Sequence, residues 1–242
     1  MRLDVALTTR GLARSRSQAA ALVTDGRVRV DGVVRTKPST RVASEQRIEA
    51  DVEPWVSRAA HKLLGALDES GIAVPPRVLD AGASTGGFTQ VCLRRAAERV
   101  YCVDVGHGQL APTIAADPRT VVHEGLNLRD LTLAHLDDEP VGLVVGDVSF
   151  ISLRLLLPTL LPVCTGTALL LVKPQFEVGR DGLGSGGIVR DPGRRRAAVD
   201  AVVEAAEALG WHEQWRGVSR LPGTHGNEEY FVALVPAPGA TE

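Results

Sequence analysis

Hydrophobic positions change their spacing along the chain, and each change marks a different kind of element. Near the start, Leu3, Leu7 and Leu12 recur at close to helical intervals, and a second apolar-periodic segment, 19–23, follows Ser15 and Ser17, either of which can cap it. Asp25-Gly26 stops that helix and the period becomes two. Val28-Arg29-Val30 runs into Asp31-Gly32 and resumes as Val33-Val34, the pattern of a tight hairpin. Helical spacing returns over 59–67, with Leu63, Leu64 and Leu67 on one face and Lys62 on another. From Pro75 onward the runs 77–80, 99–104, 120–122, 142–147, 168–173 and 230–235 are apolar without alternation and are separated by helical segments. Strands of that kind belong to a parallel sheet covered on both faces, so an α/β doubly wound domain is predicted.

The segment 155–172 carries no charge over eighteen residues, close to the length of a membrane span. Pro158, Pro162 and Gly166 interrupt it. It reads better as an apolar helix ending near Val163, a turn at Thr165-Gly166 and a buried strand over 168–172, so no membrane span is expected. The composition shifts at Val52-Glu53-Pro54-Trp55, which predicts a small α+β domain over 1–52, a linker over 53–58 and the larger domain over 59–242.

Charge alters this picture. The chain as a whole stands at −2, but up to Arg47 ten Arg or Lys face four acids, a local balance of +6 that leaves the remainder at −8. Arg14, Arg16, Arg27 and Arg29 fall on the second helix and the hairpin, where they suit a phosphate backbone. The three cysteines, Cys92, Cys102 and Cys164, are odd in number and lack metal-ligand spacing, so neither disulfides nor a metal are expected, and a reducing cytoplasm fits.

The first predicted strand of the larger domain ends in Asp80-Ala81-Gly82-Ala83-Ser84-Thr85-Gly86-Gly87-Phe88. A glycine-rich turn entering a helix lets backbone approach a ligand closely, but Ser84 stands where the dinucleotide fingerprint needs glycine. Asp104 ends the next strand, 24 residues after Asp80, where a carboxylate can accept both hydroxyls of a ribose. Asn127, after the third strand, is a candidate adenine contact. Asp147, Lys173 and Glu229 stand at the ends or starts of later strands and meet at one edge of the sheet. Such a cluster can activate a hydroxyl oxygen, which is a poor nucleophile until its proton is taken or stabilised.

Four resemblances follow from these residues. Residues 11–19 with Gly26-Arg27-Val28-Arg29-Val30-Asp31-Gly32 resemble the S4-like RNA-binding domain. The acid two residues before the first glycine of the turn resembles the first motif of Rossmann-like class I methyltransferases. There, backbone and acid hold the aminoacid part of S-adenosylmethionine, which implies Asp80, Gly82, Ser84, Gly86, Gly87, Phe88, Asp104 and Asn127 as the cofactor set. Lys62, Asp147, Lys173 and Glu229 resemble the Lys-Asp-Lys-Glu tetrad of FtsJ-like ribose 2′-O-methyltransferases, in which the second lysine activates the hydroxyl. With Ser57-Arg58-Ala59-Ala60-His61-Lys62, Asp104-Val105-Gly106-His107-Gly108-Gln109, Asp147-Val148-Ser149-Phe150, Val172-Lys173-Pro174-Gln175-Phe176-Glu177 and Gly226-Asn227-Glu228-Glu229, most of the chain resembles the TlyA family. That resemblance implies 2′-O-methylation of cytidine in ribosomal RNA, in the large subunit and in some members the small one, linked to capreomycin susceptibility. It also implies a short interdomain motif at Pro54-Trp55-Val56 that couples RNA docking to cofactor binding, although Pro54 departs from the small or basic residue usual there.

The segment 179–191, with five glycines and little apolar content, is expected to be a mobile loop beside Lys173 that orders on RNA. Three rival readings are a hemolysin-like pore-forming protein, an RNA-binding protein with an inactive methyltransferase domain, and a base methyltransferase. The broken apolar stretch disfavours the first, the complete tetrad the second, and the absence of an Asn-Pro-Pro-Tyr type motif or of catalytic cysteines the third.

Overall fold

A computed structural model describes residues 1–13, 15–51, 53–179, 182–223 and 226–239. It divides into two compact units, Met1–Pro54 and Trp55–Glu242. In the smaller unit, helix α1 (Leu3–Thr9) packs against α2 (Arg16–Thr24), whose N-cap is Ser15, its hydroxyl accepting the Gln18 amide. Strand β1 (Val28–Val30) pairs antiparallel with β2 (Val33–Val34) through the predicted Asp31-Gly32 turn, both residues at positive φ. On its other edge β1 pairs with β3 (Ile48–Ala50), a strand too short to be recognised from its pattern. Leu3, Leu7, Leu22, Val23, Val28 and Val30 form the core, so the period-four and period-two apolar positions meet in one cluster.

The larger unit opens with α3 (Ala59–Ser70), which ends in a left-handed Gly71. In chain order there follow β4 (Arg77–Ala81), α4 (Gly87–Arg94), β5 (Arg99–Asp104), α5 (Pro112–Ala115), β6 (Thr120–Glu124), β7 (Val141–Gly146), α6 (Leu157–Leu160), β8 (Cys164–Val172), α7 (Pro174–Glu177), α8 (Pro192–Glu207), β9 (Trp211–Val218) and β10 (Tyr230–Pro236). The seven strands form one sheet in the order β6-β5-β4-β7-β8-β10-β9. The first five are parallel, while β10 runs antiparallel to both β8 and β9. Both faces are covered. Leu79, Ala81, Tyr101 and Val144 pack with Val199, Val202 and Ala206 of α8, whereas Val78, Val100, Cys102 and Leu143 pack with Leu63 and Leu67 of α3 and Val91 of α4. This is why the strands read as continuous apolar runs.

The Rossmann-like architecture and the six predicted strands are present, and β9 and α8 are additions that the pattern did not announce. In β9 polar and apolar residues are interleaved at an edge of the sheet. The start of α8 is masked by Pro192-Gly193-Arg194-Arg195-Arg196, yet Asp191 caps it by accepting the Gly193 amide at 2.7 Å, and Ala198, Val199, Val202, Val203 and Ala206 make its buried stripe. One expectation fails outright: Thr165-Gly166 is not a turn but part of β8. The pairing of β7 with β8 shifts register between Val141 and Leu143, and Gly166 lies directly against the Gly142 carbonyl, so glycine there serves close backbone approach between strands. The apolar stretch is therefore divided between α6 and β8, and among the described residues no helix is long and apolar enough to cross a membrane.

A Cβ on Gly166 would overlap that carbonyl. Gly166→Ala is expected to destabilise the larger unit by roughly 1–3 kcal/mol through overpacking against backbone. Thermal unfolding should show a Tm lower by about 3–10 °C; an unchanged Tm would mean that the β7–β8 register relaxes freely.

Candidate active site

Strand order reverses at β4: the chain passes outward through β5 and β6, then returns to place β7 on the other side of β4. Loops leaving the carboxyl ends of β4 and β7 part in opposite directions, and the crevice between them is where ligands bind in open α/β sheets. Two adjoining cavities occupy it, of about 750 Å³ and 520 Å³, sharing Gly82, Ser84, Asp147, Ser149 and Phe150 as common walls.

The glycine-rich turn forms the floor. Gly82 sits at φ 84°, and a Cβ there would lie 3.1 Å from the Asp147 carbonyl oxygen, so the residue joins the β4 and β7 loops as only glycine can. Gly87 begins α4 with its Cα against the Ser57 hydroxyl. Phe88 lines the larger cavity from below, stacked on Phe231 of β10 at a ring separation of 6.1 Å. Asp80 and Gly86 line neither cavity. Asp80 is wholly buried beneath the turn, where its Oδ2 accepts the Thr89 hydroxyl at 2.6 Å and its Oδ1 has no hydrogen-bond partner among the described residues. Burial is the main reason its carboxyl is pushed up to about 7, against the lowering effect of Thr89.

Asp104, at the end of β5, stands in the smaller cavity, oriented by two backbone amides. Ser84 donates to Oδ2 at 2.8 Å and Gly106 to Oδ1 at 2.7 Å. Each oxygen retains a lone pair, so the carboxylate is fixed yet free to accept two hydroxyls. Ser84 reaches this position at φ 45°, and its hydroxyl donates to Gln109 at 3.2 Å. Asn127 lines the same cavity, where its Oδ1 accepts the Arg129 amide as a helix cap and its NH₂ is left to donate to a ligand.

All four tetrad candidates line the larger cavity. They form two ion pairs: Lys62 Nζ to Glu229 Oε2 at 2.6 Å, and Lys173 Nζ to Asp147 Oδ1 at 2.6 Å. The second is a charge contact off hydrogen-bond alignment, because Asp147 Oδ1 makes no aligned bond; Lys173 directs a hydrogen bond instead to Ser149 Oγ at 2.7 Å. Lys173 is only 8% exposed, so one ammonium is withdrawn from water with two oxygens fixing its direction. Ser149 was not among the predicted site residues, although it directly follows Asp147-Val148. Phe150 was missed too: it is 92% exposed at φ 66° on the rim of both cavities, its ring 5.4 Å from that of Phe176.

The described part of the glycine-rich segment has defined contacts beside the cavity. Leu183, Gly186 and Gly187 line the larger cavity. Asn227, itself buried, accepts the Val189 amide and donates to the Gly187 carbonyl, each at 3.0 Å, which pins the segment beside β10. The single signal for this was Val189, an apolar residue among glycines and charges. In the smaller unit Arg29 is exposed, Arg16 lies 3.3 Å from Asp4, and Arg27 lies 3.4 Å from Asp51, while Arg14 is outside the described residues. Trp55 packs within the larger unit under the Arg94 guanidinium, 4.4 Å from ring centroid to Cζ, and the next amide, Val56, donates to Gln90.

The buried acid gives a pH signature with a definite sign. Unfolded, Asp80 ionises near its ordinary 3.8, whereas folded it stays protonated until about 7. Its contribution to stability is thus complete below pH 4 and is lost as pH rises to 7, a swing on the order of 4 kcal/mol. Asp80→Asn should unfold with a flatter dependence between pH 5 and pH 8 than the parent chain; denaturant titrations with identical pH slopes would show that Asp80 ionises in place.

The FtsJ-like methyltransferase family matches residues 55–235 and the S4 domain matches residues 1–48. The 16S/23S rRNA (cytidine-2′-O)-methyltransferase TlyA of Mycobacterium tuberculosis is 50% identical over 239 residues, covering 96% of this chain and 89% of the relative. Hemolysin A of Brachyspira hyodysenteriae is 36% identical, covering 97% of this chain and all of the relative. A solved protein of Streptococcus thermophilus, also named a hemolysin, superimposes with a TM-score of 0.76 at 34% identity over 98% of this chain and 89% of its own. The chain therefore belongs to the FtsJ-like methyltransferases and, among them, to the TlyA family, in which an S4 domain accompanies the methyltransferase domain.

Proposed function

We propose that this chain transfers a methyl group from S-adenosylmethionine to the ribose 2′-hydroxyl of cytidine in ribosomal RNA, acting on ribosomal subunits in the cytoplasm. The observation that carries the reading is Lys173, withdrawn from water and aimed by Asp147 and Ser149 into the cavity that also holds the Lys62–Glu229 pair. S-adenosylmethionine supplies an electrophilic methyl group on a sulfonium, so the protein's task is to orient two substrates and to manage one proton.

The residues present fit that donor. Asp104, with a lone pair left on each oxygen, suits the two ribose hydroxyls of the adenosine part, and the apolar Leu128 and Ile151 in the same cavity suit a flat base. The backbone of the Gly82–Gly87 turn, supported from below by Asp80, suits the aminoacid part. On the acceptor side, Lys173 first releases its ammonium proton to solvent and then, as the neutral amine, takes the 2′-hydroxyl proton at Nζ as the oxygen attacks, while Lys62 adds positive charge against the developing alkoxide. Asp147 holds Lys173 in direction, and Glu229 offsets the charge that Lys62 brings into the cleft. Phe150 offers an exposed ring to a base removed from its stack. Arg16, Arg27, Arg29 and Arg14 supply phosphate contacts from the S4 unit. The name of the Mycobacterium tuberculosis relative supports cytidine as the nucleoside and both subunits as substrates. The hemolysin-named relatives share this fold, so their names do not point to a different site.

Incubation with methyl-labelled S-adenosylmethionine and unmodified ribosomal subunits, followed by nucleoside analysis, is expected to give label in 2′-O-methylcytidine. Lys173→Ala should lower kcat by ~10²–10⁴-fold, the range of general acid–base contributions. Label in a methylated base, or full activity in the variant, would overturn the reading. Phe150→Ala should lower kcat/KM roughly tenfold or more, as lost base stacking of about 1–3 kcal/mol implies; an unaltered value would remove the ring from substrate recognition.

A further inference from the structure

Glu177 lies one helical turn beyond Lys173 and takes no part in either tetrad ion pair. Its side chain is fully withdrawn from solvent. Burying a carboxylate is costly unless its lone pairs are satisfied, and here they are satisfied by a different loop. Oε1 accepts the buried Leu153 amide at 2.8 Å, and Oε2 accepts the Ser152 hydroxyl at 2.5 Å. Arg154 closes the outer side, with Nε 3.5 Å from Oε2 and a guanidinium hydrogen bond to the Glu177 carbonyl at 3.4 Å.

The two segments joined in this way are the two that carry the hydroxyl-activating pair. Lys173 is the N-cap of α7, the single turn Pro174–Glu177, and it is tied to that turn by the Phe176 amide donating to its carbonyl at 2.9 Å. Proline at the first position fixes φ, so the four residues move as a block and a displacement of Glu177 carries Lys173 with it. On the other side, Ser152 and Leu153 end the loop that begins at Asp147 and Ser149, and Leu153 is anchored in the core. Among the described residues, the polar contacts that join the two segments at the cavity are Lys173 to Asp147 and Lys173 to Ser149. Glu177 closes the same gap from behind.

We infer that Glu177 is a positioning residue for the methyl transfer: by accepting from Ser152 and Leu153 it fixes the loop after β7 to the turn after β8 and thereby sets the direction of Lys173 against Asp147 and Ser149. This inference rests on the proposed reaction for its kinetic consequence but not for its geometric one. Glu177 touches neither cavity, so it contributes nothing to binding of the donor or of RNA. Its effect falls on kcat, because misplacement of a reacting group by about 1 Å costs on the order of 10²-fold. A glutamine at 177 keeps an oxygen for the Leu153 amide and an NH₂ for the Ser152 oxygen, so most of the link survives loss of the charge.

The test compares Glu177→Ala, Glu177→Gln and Ser152→Ala in single-turnover methyl transfer, in titration with S-adenosylmethionine, and by crystallography of the alanine variants. Glu177→Ala is expected to lower kcat by ~30–100-fold with RNA KM and donor Kd within about threefold of the parent. Glu177→Gln should recover to within roughly fivefold, and Ser152→Ala, which removes one of the two anchors, should lose about three- to tenfold. In the crystals the Lys173–Asp147 separation should widen from 2.6 Å in Glu177→Ala. If Glu177→Ala does not fold, Ser152→Ala decides on both readouts. Unchanged kcat with an unchanged ion-pair distance overturns the inference, as does a loss of kcat matched by an equal loss of donor affinity. A parent chain that transfers no methyl group contradicts the proposed function instead, and the crystallographic distance still judges the role of Glu177.

Discussion

The site depends on the parting of two backbone segments at the carboxyl ends of β4 and β7. These strands pair in parallel through Ala81 and Gly146, and one residue later they must separate, one chain bending into the glycine-rich turn and the other into the Asp147 loop. Gly82 makes the separation tight, because its missing side chain lets the turn rest against the Asp147 carbonyl. A side chain there would push the loops apart and with them the common wall of the two cavities. The chemistry that each cavity offers, a hydroxyl-accepting carboxylate in one and a paired lysine in the other, is thus set at a fixed spacing by a backbone contact.

Charge is brought into this crevice in compensated form. Two lysines face two carboxylates, Asp104 leans on two amides, and Glu177 is satisfied by an amide and a hydroxyl. Asp80 is the exception, with one oxygen unpartnered beneath the turn and its carboxyl pushed up to about 7. Buried polar groups with fixed partners resist reorientation, which is what a transition state of defined geometry requires of its surroundings. The exposed Phe150 and the pinned glycine-rich segment stand outside this rigid set, at the mouth where a large substrate must enter.

Much of this was legible in the sequence because it depends on local patterns. Apolar runs at 77–80 and 142–147 gave the buried strands, Asp31-Gly32 gave the hairpin, and acids or lysines at strand ends gave the tetrad and Asp104. What escaped detection depends on tertiary context. The Thr165-Gly166 pair looks like a turn to any local rule, yet it is held in β8 by the register shift opposite it. Ser149 gained its meaning only from Lys173, which is brought to it from another strand, and Glu177 only from an amide 24 positions away. Asn127 lines the crevice, and the capping use of its oxygen could not be read from spacing.

The central claim is that the crevice at the strand-order reversal holds the methyl donor with its reactive end toward Lys173. A crystal structure with S-adenosylhomocysteine tests it most directly. The account predicts both ribose hydroxyls on the Asp104 carboxylate, the base beside Asn127 and Leu128, and the sulfur at the wall shared by the two cavities. A ligand bound with its ribose away from Asp104, or with its sulfur turned from the Lys173 cavity, would contradict it.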